Sequence, residues 1–244
     1  MEAKGNAAER LLKILEGMKR TPPKTPLSVA WANTLGCQNP RELFRYLADV
    51  IHLADEARRE VSALPDLNQE LFLAPFTNID NLLGRTSLTQ HWGDYIALLD
   101  DATLLGLRFA AERVSREGKP AAYLAEEVAA ELVSELNQML EQVVASELPD
   151  ELKHLFCRNL EELRHALLAF RISGAQGIAD EIDRALGSIV RHREVIRSET
   201  PSSEESLVER VFKLLERVNS TISFAQNTAP LVPALKGLLA VLPN

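Results

Sequence analysis

Apolar residues recur along this chain at intervals of three and four, the spacing that lines one side of an α-helix, and nowhere alternate convincingly with period two. Leu11, Ile14, Leu15 and Met18 share one side of a helix predicted over about 7–19, which ends before the proline-rich stretch TPPKTP. Asn39-Pro40 is a helix start, with an N-cap and a proline at the first helical position. The helix it opens runs to about residue 63 with Leu43, Leu47, Ile51, Ala54 and Val61 inward, and Leu64-Pro65-Asp66 stops it. A less regular helical stretch follows over 67–84, interrupted by Pro75, and Thr86 or Ser87 caps a helix expected over about 88–116, bent near Gly93 or Gly106.

The longest clean helix is expected over about 121–146, with Val128, Leu132, Met139 and Val143 as its stripe. Pro149 opens another to about residue 172, whose inward residues are Phe156, Leu160, Leu163, Leu167 and Phe170. Gly174 supplies a left-handed position between that helix and a partner expected over about 175–197. Ser202 and Glu205 form a capping-box pattern ahead of a last long helix, about 203–224. The sequence closes on the apolar, proline-punctuated stretch APLVPALKGLLAVLPN.

These elements predict an all-α protein, a multi-helix bundle or layered helical array joined by short loops and without a sheet. Composition agrees: only 5% of residues are aromatic, while Leu, Ala and Glu, which lose little rotamer freedom in a helix, abound. The 244 residues, 46% of them hydrophobic, are enough to bury a full core. Residues 1–26 are expected to form a tethered amphipathic helix with its proline-rich linker, and 27–244 a helical domain with a possible boundary near 146–150 and a hinge near 198–203.

The net charge of −8 repels phosphate backbones and anionic membrane surfaces, so no nucleic-acid partner is expected from the bulk field. Cys37 and Cys157, the only cysteines, stand outside any C-x-x-C spacing and indicate neither a disulfide framework nor a zinc site. The N-terminal residues carry Glu2, Glu9 and Glu16 and lack the continuous apolar region of a signal peptide, and no stretch is long and apolar enough to span a bilayer. A cytoplasmic location is expected.

The octet RNLEELRH, Arg158 to His165, resembles the loose R-x4-6-H pattern of the HEPN ribonucleases, a helical family in which arginine and histidine act on the RNA phosphodiester. The resemblance covers these eight residues and implies Arg158 and His165 as a catalytic pair, in a site typically completed across a dimer. At 100° per residue both residues emerge opposite the apolar stripe of their helix, where Glu161 and Glu162 stand three and four positions from Arg158. Two further matches to the pattern occur, Arg45 to His52 and Arg85 to His91.

Glu151-x-x-His154 and Glu162-x-x-His165 have the spacing of di-iron carboxylate bundles, but both lie on the polar side of one helix, so no metal and no cofactor are expected. From Pro120 to Leu152 the chain holds Glu126, Glu127, Glu131, Glu135, Glu141, Glu147, Asp150 and Glu151 and no Lys, Arg or His. Glu127, Glu131 and Glu135 repeat every four residues, and neighbours of like charge repel by a few tenths of a kcal/mol each. That row is expected either to be balanced by arginines such as Arg184, Arg191 and Arg193 or to dock a basic partner.

Two apolar elements are candidate contact surfaces: the C-terminal stretch, which could instead lie on a membrane surface, and the first helix through Leu11, Leu15 and Met18. The sequence therefore reads as a non-enzymatic helical interaction or regulatory protein, contacting a protein partner or its own copies, with a HEPN-like ribonuclease as the alternative.

Overall fold

The structure, a computed structural model, describes residues 5–37, 39–65, 68–84, 87–117 and 124–226. Among them the chain forms ten α-helices and no sheet: α1 (Ala7–Lys19), α2 (Leu27–Leu35), α3 (Pro40–Ser62), α4 (Gln69–Gly84), α5 (Asp101–Glu117), α6 (Glu126–Ala145), α7 (Asp150–Leu168), α8 (Phe170–Arg191), α9 (Arg193–Glu199) and α10 (Glu205–Gln226). The helices pack on one another, as their one-sided stripes require. The described helices fall into two compact units, α1–α5 together with Arg171–Ser173, and α6–α10 without those three residues.

In the first unit α1 packs against α3 and α5. Its start is capped by Asn6, whose side chain accepts from the Glu9 N–H at 2.9 Å, and by Glu60 of α3, which accepts from the Ala7 N–H at 3.0 Å. Arg10 is nearly buried there, yet every end of its guanidinium is engaged: Nε donates to the Ile172 carbonyl, Nη1 to the Gly5 carbonyl and Nη2 to Glu56. A buried guanidinium is tolerable only with such full pairing.

The stretch after α1 is not a free tether. Trp92 N–H donates to the Thr25 carbonyl and Gly93 N–H to that of Pro23, while Leu27 and Ser28 N–H donate back to Gln90 and Leu88. One antiparallel bridge, Pro26 with His91, marks this ribbon. Proline-rich backbone lacks donors but keeps its carbonyls, and here the opposite segment supplies the N–H groups.

Several expected elements shift. The helix of α2 had no clear periodic signal; it ends at Gly36, whose φ of +71° lets Cys37 N–H reach back to the Ala32 carbonyl. The helix expected from residue 88 begins at Asp101, after the ribbon and two short 3-10 helices at Trp92–Asp94 and Ile96–Leu99. Asp100 fixes that start, accepting from the Thr103 N–H at 2.7 Å. The inward side of α3 is Leu43, Tyr46, Val50, Leu53, Ala54, Ala57 and Val61, whereas Leu47 is half-buried and Ile51 is exposed, one position past Val50 and so about 100° round the helix from it. Pro75 sits inside α4 without ending it.

The second unit is centred on the α7 stripe. Phe156, Leu160, Leu163, Leu167 and Phe170 are all buried, and Phe156 meets Phe212 of α10 edge to face with centroids 6.3 Å apart. Gly174, at φ +66°, kinks α8 where the sequence placed a left-handed turn. His192 then breaks the partner helix expected to continue to residue 197, setting off α9. The expected cap Thr86, the Arg85 match and the apolar C-terminal stretch from residue 227 lie outside the described residues.

Candidate functional site

Arg158 and His165 both lie on α7, away from its buried stripe. The guanidinium of Arg158 donates to Ser188 Oγ on α8 at 3.1 Å, and Ser188 is itself buried. The carboxylate that stands three residues after Arg158 turns instead to Arg164, with Glu161 to Arg164 at 2.7 Å. That choice follows helix geometry, since an acid preceding its base along the helix is the better-oriented order. Arg158 is thus held at the α7–α8 seam by a hydroxyl, a contact that the sequence did not suggest, because nothing local marks Ser188 as facing α7. Of the other matches, His52 on α3 is exposed and Arg45 half-buried.

Glu151 and Glu162 are exposed on α7, and His154 contacts the Asp150 carbonyl of its own helix. Among the described residues no group of three His, Cys, Asp or Glu side chains could hold a metal ion. Both cysteines are free thiols, and burial, the larger cause, together with a nearby glutamate pushes each pKa up.

The acidic row on α6 finds its compensation on α10. Arg217 donates to Glu131 at 2.8 Å and also to Glu135, so one guanidinium spans two carboxylates a turn apart. Arg184 and Arg193, expected to balance this row, pair instead with Glu181 and Glu194. Glu127 stays exposed at the start of the row. Beside Arg217 the α6–α10 seam opens into a shallow groove of about 280 Å³ that also takes in Gln138, Gln142, Arg210 and Lys213. Its charges are largely matched, with Lys213 held by Glu209 at 2.7 Å.

Leu11, Leu15 and Met18, candidate contact residues by sequence, have no exposed surface; they form the core of the first unit. Burial of that stripe against α3 and α5 satisfies the apolar side that the sequence left without a partner.

Large apolar residues are exposed on several helices, among them Phe44 of α3 and Val144 of α6, and on α4 and α5 they stand beside a groove. The core of α5 is Thr103, Leu107, Ala110, Ala111 and Val114, yet Leu105 and Phe109 stand on the opposite side, 48% and 54% exposed. Leu71 of α4 is 64% exposed. Between Leu71 and Phe72 on one helix and Gly106 and Phe109 on the other lies a groove of about 450 Å³, rimmed by Glu112, Arg113 and Arg116. Gly106 lines it and lets the two helices close up: a Cβ there would lie 2.6 Å from Pro75 Cγ, so the Pro75 ring of α4 packs where α5 has no side chain. Sequence reasoning passed over this site, although the double-sided pattern of LLGLRFAAERV carries its signal: a helix apolar on two opposite sides needs two partners.

The chain matches no protein family, no curated protein and no solved structure. What the molecule does must therefore be argued from its own surfaces.

Proposed function

We propose that this chain is a non-enzymatic interaction or regulatory protein of the cytoplasm, acting through protein–protein contact at the α4–α5 groove. The observation that carries the proposal is the pair of opposed apolar sides on α5, one buried in its own unit and the other, Leu105 and Phe109, left in solvent beside a groove. Scattered single apolar residues on a surface are ordinary, whereas a contiguous set beside a concavity is the usual form of a contact site. A groove between two helices, lined by Leu and Phe and rimmed by charge, is the form that receives an amphipathic helix. Among the described residues no helix is long and apolar enough to cross a membrane.

The test is a photo-crosslinking amino acid placed at Leu71 in the full chain, expressed in cells, with the same amino acid at exposed Glu141 of α6 as control. Discrete polypeptide adducts are expected from Leu71 and not from Glu141. Irradiation that yields no adduct at Leu71 removes the basis for a contact function at this groove.

A further inference from the structure

We infer that Arg171–Ser173 is a clip that makes the two units unfold together. These three residues belong to the first unit, while the chain on either side of them, α7 with Phe170 and α8 from Gly174 onward, belongs to the second. The inference stands apart from the α4–α5 groove and rests on how the first unit holds this short segment.

Two arginines hold it. Arg10 of α1, 9% exposed, donates from Nε to the Ile172 carbonyl at 3.0 Å, and Ile172 itself is 1% exposed. The other ends of that guanidinium are fixed by the Gly5 carbonyl at 3.0 Å and by Glu56 of α3 at 3.1 Å, all within the first unit. Arg171 lies against Gly36 at the end of α2: a Cβ there would stand 2.8 Å from its Nη2, so the guanidinium occupies space that a side chain would contest. Withdrawing Ile172 would leave the buried Arg10 short of an acceptor, and a buried charged donor without its partner is costly, so the first unit loses stability whenever the segment leaves it. Phe170 and Ala175, buried in the second unit, tie the segment at both ends. Gly174 makes the two attachments compatible, because its φ of +66° breaks the helical path between them. Unfolding either unit therefore pulls on contacts of the other, and whatever binds and stabilises one stabilises both.

Urea unfolding of the full chain tests the inference, because each unit can be followed by itself. Both tryptophans, Trp31 and Trp92, are buried in the first unit and their fluorescence reports it, while pulsed hydrogen exchange of peptides from α6 and α10 reports the second. In the wild type the two transitions should coincide. Asn39→Ala, which weakens the start of α3 without touching the clip, should move both to lower urea by the same amount. Arg10→Met should part them, the tryptophan signal changing at lower urea than the exchange of α6 and α10. Glycine–serine linkers inserted after Phe170 and after Ser173 should part them too, since they slacken the connection and leave the side chains of both units unchanged. The linker variant decides the matter if Arg10→Met does not fold, and adding Asn39→Ala to it should then shift the tryptophan signal alone. Separate transitions in the wild type, an Asn39→Ala shift confined to the tryptophans of the otherwise unaltered chain, or transitions that still coincide with the linkers in place would overturn the inference.

Discussion

Replacing Gly106 by valine should force α4 and α5 apart, because the first carbon added already falls within 2.6 Å of the rigid Pro75 ring. Overpacking of this kind costs about 1–3 kcal/mol, which a urea titration would read as a lowered midpoint with the slope unchanged. Gly106→Ala should show the same sign with a smaller size, and a neutral outcome for valine would mean that the helices do not meet there. In the second unit the matching test is Phe156→Ala. That ring is fully buried and stands edge to face with Phe212, so truncation should cost about 3–5 kcal/mol in thermal or chemical unfolding. Residue identity alone marks Phe156 as a core position, since it sits on the 156–160–163–167 stripe. The importance of Gly106 is different: a glycine inside a helix reads as a weakness until its neighbour across the crossing is known.

Individual helices owe their limits to capping contacts that can be removed one at a time. The Asn39 side chain accepts from the Glu42 N–H at 3.0 Å, and Asn39→Ala should destabilise α3 by about 1 kcal/mol in equilibrium unfolding. The α6–α10 pair responds to salt instead. Arg217 is half exposed, so its two carboxylate contacts are worth no more than about 1 kcal/mol, and Arg217→Ala should lose less than that at low ionic strength and almost nothing in molar salt. Equal losses at both salt concentrations would point to packing by the arginine stem. Helices with a clean stripe, such as α1, α3 and α7, were legible in the sequence because their signal is local. The ribbon of Pro23–Ser28 with Leu88–Gly93 was not, since its hydrogen bonds join residues sixty or more positions apart and leave no periodic trace.

For the molecule as a whole, two half-buried carboxyls should make stability depend on pH. Burial is the main cause that raises the pKa of Glu60, with the charge of Glu56 adding to it, and burial likewise raises that of Glu181. A raised carboxyl favours the protonated folded state, so its contribution is fully present below the unfolded value of about 4.3 and is lost as the pH rises through the folded value. Glutamine imitates the protonated form. The stability of Glu60→Gln relative to wild type, followed by urea unfolding, should therefore increase as the pH is raised from about 4 towards neutrality. A difference that stays constant over that window would remove the burial argument.

The sequence by itself determined that the chain is all-α, where most helices begin and end, and which side of α7 is inward, because the 3.6-residue period and the capping residues act within a few positions of one another. Only the tertiary structure decided which partner each exposed group takes. It gave Arg158 to Ser188 and Arg217 to the acidic row, buried Leu11, Leu15 and Met18 in their own unit, and left Leu105 and Phe109 in solvent. The physical reason is one of range. An apolar side must be covered by something, and the period reveals that need, but what covers it is settled by contacts between helices that the chain brings together from far apart.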